Sequence, residues 1–390
     1  MESIEQMIKR LCPKGVEYVK LGEVCEIRRG IRVVKKQLCE EDGYQVFQNS
    51  LTSLGLYESS NRKAGTTFVI CAGAAGEIGY CYSEFWAADD CSTVESDVLT
   101  DRFIYFYLMT QQYKLKSQVR KASVPRLSRE AIENLLIPLP PMEIQNRIVE
   151  VLDKMTTLTA ELEAELKAEL EARKQQYEYY RNKLLTFNEI GEGNRFVKLG
   201  DLFEMRNGYT PSKGNVDYWT DGTIPWFRME DIRANGRILN DSIQHITPSA
   251  IKGKGLFPAG SFILATTATI GEHALLNTDS LANQRFTNLS VRKTHQKDVN
   301  VKFLYHYMFI IDEWCKKNVN SSSFASVDMN KLKEYKIPIP PLAEQQRIVS
   351  ILDRFETLTT DLQSGLPAEI EARRQQYEYY RNKLLTFEAV

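Results

Sequence analysis

The sequence predicts an α+β protein: two pseudo-symmetric α/β domains separated by two long helices that form an antiparallel coiled coil. Three observations carry this expectation. A 17-residue phrase, Glu171 to Phe187, returns as Glu371 to Phe387 with one change, Lys174 for Arg374. Each copy closes a stretch with apolar residues every three or four positions. Each such stretch follows a variable segment of short β-like runs set among Gly, Asn and Asp turns.

In chain order, residues 3–11 form a short amphipathic helix through Ile4, Met7, Ile8 and Leu11. Val19-Lys-Leu-Gly22 opens the first variable domain and recurs as Val197-Lys-Leu-Gly200, an offset of 178. Thr67–Cys71 and Ser261–Ala265 read as strands, and the apolar runs from Phe68 and Phe262 lie 194 apart. The runs Phe103–Leu108 and Phe303–Met308 read as helices. Ile137-Pro-Leu-Pro-Pro-Met142 matches Ile337-Pro-Ile-Pro-Pro-Leu342 at an offset of 200, which then holds to the end of the repeat. The insertions therefore lie in the variable domains. The expected segments are 1–141, 142–195, 196–341 and 342–390.

Each long helix begins after Pro-Pro, where a helix can start but not extend backwards. In the first, Ile148, Leu152, Met155, Leu158, Leu162, Leu166 and Leu170 form the stripe, and Thr159 to Leu170 is a ladder of Xaa-Ala-Glu-Leu tetrads. In the second, the stripe runs Ile348, Leu352, Phe355, Leu358, Leu362, Leu366 and Ile370, and Ser364-Gly-Leu-Pro367 should kink or break it near Gly365. Such stripes bury themselves against each other or against a partner helix. A helix over 142–187 is roughly 70 Å long, about two turns of a DNA duplex.

Composition narrows the function. No apolar run approaches 18 residues, and the acidic N-terminus has no leader-like apolar region. Seven cysteines without a CxxC pair suit a reduced, cytoplasmic protein. Net charge is −1, but residues 196–341 carry 18 Lys and Arg against 14 Asp and Glu, so one globular half is mildly basic. P-loop, HExxH, GxSxG and Asn/Asp-Pro-Pro-aromatic patterns are missing, so no catalytic residue is assigned. The histidines His245, His273, His295 and His306 are spaced too widely to suggest a metal set, and Gly73 to Gly79 reads as a turn beside a strand.

Basic and amide-rich loops recur at comparable places. Arg28, Arg29, Arg32, Lys35 and Lys36 correspond to Arg206, Thr210, Ser212 and Lys213; Gln48 and Asn49 correspond to Arg228. Asn283, Gln284 and Arg285 cluster amide and guanidinium groups, which can read adenine and guanine edges. Arg120, Lys121 and Arg126 precede the first long helix, and Ser321–Ser326 takes that place in the second half. Singly, each is a solvated loop group; their paired placement points to duplex DNA. Tyr177, Tyr180, Arg181, Tyr377, Tyr380 and Arg381 suit helix packing, a repeated partner surface, or both.

The ordered set of marks resembles the specificity subunit of type I restriction–modification systems over nearly the whole chain. The marks are the twin Val-Lys-Leu-Gly openings, the Pro-Pro stops, Gln145-Asn-Arg-Ile-Val149 with Gln345-Gln-Arg-Ile-Val349, and the Gln-Gln-Tyr-Glu-Tyr-Tyr-Arg closures. The resemblance implies two target-recognition domains on spacer helices, in a chain that is not itself an enzyme. It implies a split, asymmetric DNA site, two modification (methyltransferase) subunits that methylate adenine N6, and restriction subunits that translocate and cleave. S-adenosylmethionine, ATP and Mg²⁺ are then expected in those partners, with no cofactor and no metal in this chain. The tetrads resemble a ladder that sets spacer length. The rival readings are a coiled-coil scaffold that binds only proteins and an autonomous DNA-modifying enzyme.

Overall fold

The computed structural model describes residues 2–121, 123–187, 195–320, 325–360 and 365–390. The chain divides into two compact units, Met1–Lys167 with Glu369–Val390, and Ala168–Ala368.

The first unit is built on a four-stranded antiparallel sheet. Its strands are β1 (Glu26–Arg29), β2 (Thr66–Ile70), β3 (Ile78–Cys81) and β4 (Cys91–Glu95), in the order β1-β4-β2-β3. Every residue of β2 is buried, which explains its unbroken apolar-and-threonine run. A side sheet places Tyr44–Phe47 between Leu56–Tyr57, antiparallel, and Phe85–Ala87, parallel. Phe47 stacks on Phe68 with ring centroids 4.9 Å apart, joining the two sheets. Helix α1 (Asp101–Ser117) is capped by Thr100 and buries Phe103, Ile104 and Leu108 against Ile27, Val69 and Val94. The predicted N-terminal helix is present as Ile4–Leu11, with a capping box between Ser3 and Gln6.

Helix α2 (Met142–Leu184) starts directly after Pro141. Its first turns carry Ile144, Ile148 and Leu152 into the first unit's core, where Leu385 and Phe387 from the chain's end join them. The tail is knitted in further by Val16, whose N–H donates to Glu388 O at 2.8 Å.

The second unit repeats the plan with β5 (Phe203–Asn207), β6 (Phe262–Ala265), β7 (His273–Leu276) and β8 (Phe286–Val291), in the order β5-β8-β6-β7. A further strand, Ile238–Leu239, pairs parallel to β7. Its side sheet sets Ile224–Phe227 between His245–Ile246 and Leu281–Ala282. Helix α3 (Val301–Lys317) packs Phe303, Leu304 and Ile311 on the central sheet, together with Ile348 and Leu352 of α4 (Leu342–Thr360) and Tyr177 and Leu185. After α4, Gly365 is not helical and α5 (Leu366–Leu384) follows, as the Gly-Leu-Pro signal predicts; Leu362 and Ser364 lie outside the described residues.

The repeated short phrases have one structural job each. Val-Lys-Leu-Gly and Ile-Pro-Xaa-Pro pair as an antiparallel clasp, Tyr18–Lys20 with Leu136–Pro138 and Arg195–Lys198 with Lys336–Ile339. The glutamines of the next motif lock each clasp to its domain. Gln145 Nε2 donates to Pro140 O (2.9 Å) and Val98 O (3.1 Å), and its Oε1 accepts from Thr100 N (3.0 Å). Gln345 does the same with Pro340 O (2.7 Å), Asp298 O (2.9 Å) and Asn300 N (2.7 Å).

Helical seams run inside each unit, and the first is antiparallel. In the first, Thr156 meets the Tyr377 hydroxyl at 2.9 Å and Glu163 pairs with Arg374 at 3.0 Å, so partner numbers fall as α2 advances. In the second, Tyr177 and Tyr180 meet Phe355, the latter stacked at 5.6 Å. Two expected stripe positions do not hold: Leu158 is 64% exposed and Leu358 36%. A straight α-helix drifts about 20° per heptad from a fixed three-four repeat, and at the first site the half-buried Thr159 sits further inside.

Candidate nucleic-acid interface

Each central sheet ends in a set of loops tied together by main-chain hydrogen bonds, and the ties match bond for bond. In the first unit Gly30 N donates to Cys91 O (2.9 Å), Ile31 N to Ala87 O (2.9 Å), and Ala88 N to Phe47 O (2.9 Å). Cys71 N donates to Asp90 O (2.7 Å) and Leu127 N to Cys71 O (2.8 Å). In the second unit the same bonds join Gly208 to Phe286 (2.9 Å), Tyr209 to Ala282 (2.9 Å), Asn283 to Phe227 (3.1 Å), Thr266 to Arg285 (3.0 Å) and Val327 to Thr266 (2.9 Å). The glycines are steric requirements. A Cβ on Gly30 would lie 2.2 Å from Ala88 O, and one on Gly208 2.3 Å from both Ala282 O and Asn283 O.

These bonds align the two loop sets residue by residue. Gln48 occupies the slot of Arg228, Ala88 that of Asn283, Asp89 that of Gln284, and Asp90 that of Arg285. In the first unit, Ala74 N donates to Asn49 O (2.9 Å) and Gly73 N to Pro125 O (3.1 Å). Arg120 and Arg126 exchange main-chain bonds in a short bridge. The edge thus gathers Gln48, Asn49, Arg120, Lys121 and Arg126, all exposed except the half-buried Gln48. Gly73 and Gly76 take positive φ in the turn between β2 and β3, as the glycine spacing predicts.

Other predicted residues have different placements. Arg29 donates through Nε to Asp89 O at 2.7 Å and so braces the same edge. Arg28 points to the other face of β1, where it pairs with Glu26 at 2.5 Å and Glu95 at 3.7 Å. Arg32 and the Lys35 and Lys36 turn are exposed. Arg206 is committed to the carbonyls of Gly255 and Leu256 and lies over the Phe257 ring at 4.8 Å, a buttress rather than a free guanidinium. Thr210 donates to Gln284 Oε1 at 2.5 Å, which turns the amide nitrogen away from it. Ser212 and Lys213 are exposed, as are Gln284 and Arg285, and Asn283 Oδ1 accepts from Arg285 N at 3.0 Å. Arg228 leans toward the Trp226 ring at 5.8 Å; its Nε is buried without a hydrogen-bond partner, and the nearest Glu230 oxygen is 4.0 Å away. Ser321–Phe324 lie outside the described residues.

The repeated tyrosine phrase packs as the helix-packing reading expects and leaves other rings open. Tyr177, Arg181 and Arg381 are buried. Tyr177 bonds His306 Nδ1 at 3.1 Å, and burial raises its hydroxyl pKa well above the ordinary value. Arg181 lies over the Phe309 ring at 4.6 Å. Tyr377 is half-buried, and Tyr180 and Tyr380 are partly exposed. The open rings are Tyr179 at 60% and Tyr379 at 62% exposure. A helical wheel carries this signal, because residue 179 is turned about 200° from 177.

Sequence spacing also missed a polar group that only the fold assembles. His306, Asp353 and Glu356 bring ligand-type atoms within 4.8 Å of one another. Their atoms are engaged locally: His306 Nε2 with Asp353 at 2.8 Å, Asp353 with Lys302 at 3.1 Å, and Glu356 with the Tyr305 hydroxyl. His273 is fully buried against Asp312 at 2.7 Å, and burial holds its imidazole pKa below the ordinary value. Asp89 and Asp90 on the first loop set were missed as well, because only the internal repeat of main-chain bonds reveals them as counterparts of Gln284 and Arg285.

Comparison with known proteins agrees with this architecture. The family described as Type I restriction modification DNA specificity domain matches residues 13–172 and 191–372. The EcoprrI specificity subunit of Escherichia coli is 48% identical over 215 residues, covering 53% of this chain and 53% of that relative, about half its length. The EcoR124I/EcoR124II specificity subunit of Escherichia coli is 38% identical over 304 residues, 73% of this chain and 70% of the relative. A putative type I restriction enzyme specificity subunit of Haemophilus influenzae is 31% identical over 388 residues, 95% and 96% of the two chains. Among solved structures, a chain from work on assembly and conformational transition of the type I R-M system shares the fold at TM-score 0.70 and 17% identity, covering 96% and 98%. The HsdS subunit from Thermoanaerobacter tengcongensis does so at TM-score 0.54 and 18% identity, covering 96% and 97%.

Proposed function

Because this chain belongs to the type I restriction modification DNA specificity family, we propose that it reads a split, asymmetric DNA site for a type I restriction–modification complex. Each unit reads one half-site with its loop edge. Exposed cations such as Arg32, Lys35, Lys36, Lys213 and Arg120 set register on phosphates, while Gln48, Arg228, Gln284 and Arg285 address base edges. The observation that carries this reading is the matched pair of loop sets, held by the same main-chain bonds but furnished with different side chains. A frame kept constant under changing side chains is what a reader of variable sequence requires.

The chemistry belongs to partners in this reading. Two modification subunits hold S-adenosylmethionine, flip the target adenine out of the stack and methylate N6; restriction subunits supply ATP- and Mg²⁺-dependent translocation and cleavage. The chain itself carries no cofactor and no metal, and works in the cytoplasm. Among the described residues, no helix is long and apolar enough to cross a membrane. The open rings Tyr179 and Tyr379 suit the partner contacts, since tyrosine is favoured at interface anchors.

Mapping methylated adenines in cells with and without this chain, its modification partner present in both, tests the proposal. Loss of one split motif is the expected result. Unchanged methylation would leave the protein-only scaffold as the better reading, and methyl transfer by the purified chain alone would establish an autonomous enzyme.

A further inference from the structure

We propose that the two units read different classes of base pair from equivalent slots: Gln48 fixes an A·T pair in one half-site, and Arg228 fixes a G·C pair in the other. The inference rests on the function proposed above and adds what each half-site contains.

The frame makes the comparison one of chemistry alone. Phe47 O accepts from Ala88 N, and Phe227 O accepts from Asn283 N, so the residue after each phenylalanine leaves an equivalent carbonyl. A glutamine amide offers one donor and one acceptor, the complement of adenine N7 and N6–H. An arginine fork offers parallel donors, the complement of guanine O6 and N7.

Both side chains are held in place with capacity left over. Gln48 is half-buried, and its Nε2 makes a long 3.3 Å bond to Asp89 Oδ1. Arg228 is only 29% exposed at its side chain, yet its buried Nε has no hydrogen-bond partner. A buried N–H without a partner is costly, and native proteins pair nearly all such groups. A guanine edge that meets the exposed part of the guanidinium offers it the acceptors it lacks.

The neighbouring slot repeats the contrast. Asp90 O and Arg285 O accept the equivalent bonds from Cys71 N and Thr266 N, so these two residues also share a place in the frame. A carboxylate can only accept, as from cytosine N4 or adenine N6, and it repels phosphate. A guanidinium can only donate, as to guanine. At this slot the two edges share a backbone and carry opposite donor and acceptor polarity.

The test uses the chain co-expressed with its modification subunits, with methylated adenines mapped genome-wide for wild type, Arg228→Gln and Gln48→Arg. Arg228→Gln should relax preference roughly tenfold or more at one G·C pair in one half-site. Gln48→Arg should do so at one A·T pair in the other, with G·C gaining preference there. If Arg228→Gln fails to assemble with its partners, Arg285→Gln, on an exposed side chain, carries the test at a G·C pair of the same half-site. Even loss across all positions, changes confined to one half-site, or an A·T pair relaxed by Arg228→Gln would each overturn the inference. A split motif that survives both variants unchanged removes this inference alone; a wild-type chain that directs no split motif removes the proposed function too.

Discussion

Gln145 and Gln345 have a structural importance that their exposed-looking, polar phrases conceal. Each is buried and joins its clasp proline, the loop before the first domain helix, and that helix's N-terminal region. Gln145→Ala should destabilise the first unit by about 3 kcal/mol, because it leaves Thr100 N and Pro140 O without partners; Gln345→Ala should do the same in the second. Urea denaturation followed by tryptophan and tyrosine fluorescence checks this. His273 yields a pH prediction. Its pKa is depressed by burial, so as pH falls the unfolded chain binds the proton first. The stabilisation is complete above the unfolded value of about 6.5 and is lost as pH falls below that toward the folded value. Melting temperature should therefore drop on mild acidification, and His273→Gln should flatten the drop. The sequence displays the repeated glutamine as a mark but not its bonds, which span from position 98 to position 145 in one unit and from 298 to 345 in the other. Arg206 shows the opposite difficulty: an arginine before Asn207-Gly208 reads as a loop DNA contact until the strand, two carbonyls and a ring are found around it.

At the scale of elements, periodicity served best where helices are long. The starts of α2 and α4 after Pro-Pro, the non-helical Gly365 and the buried strands Thr66–Ile70 and Phe262–Ala265 were all legible. Which turn of a helix faces its neighbour was less so at Leu158, which drifted outward; Tyr177 and Tyr377 pack inward as the helix-packing reading expects, and the rings left open are Tyr179 and Tyr379. Tyr179→Ala with Tyr379→Ala should leave the chain's melting temperature within about 1 °C, as exposed substitutions usually do. The same pair should weaken modification-subunit binding roughly tenfold or more if these rings anchor the contact. A thermal melt and titration calorimetry separate the two effects; full affinity for the partner would return the rings to plain surface. The loop edges were only half legible. Runs of arginine and amide marked them, but the slots became comparable only through hydrogen bonds between residues far apart in sequence.

For the molecule as a whole, the two-fold repeat gave the architecture, since duplicate phrases at a steady offset of 200 require duplicate helices. Adding one Xaa-Ala-Glu-Leu tetrad after Leu170 lengthens α2 by about 6 Å, against roughly 3.4 Å per base-pair step. The methylated motif should then keep both half-sites and gain one or two intervening base pairs, which methylation mapping reads directly. Tyr18–Lys20 closes on Leu136–Pro138 and Arg195–Lys198 on Lys336–Ile339, so everything between the two strands of a clasp is fastened at its own base. Exchanging the segment between the two strands of one clasp should therefore leave the rest of the fold standing, which the melting temperature of such a chimera checks.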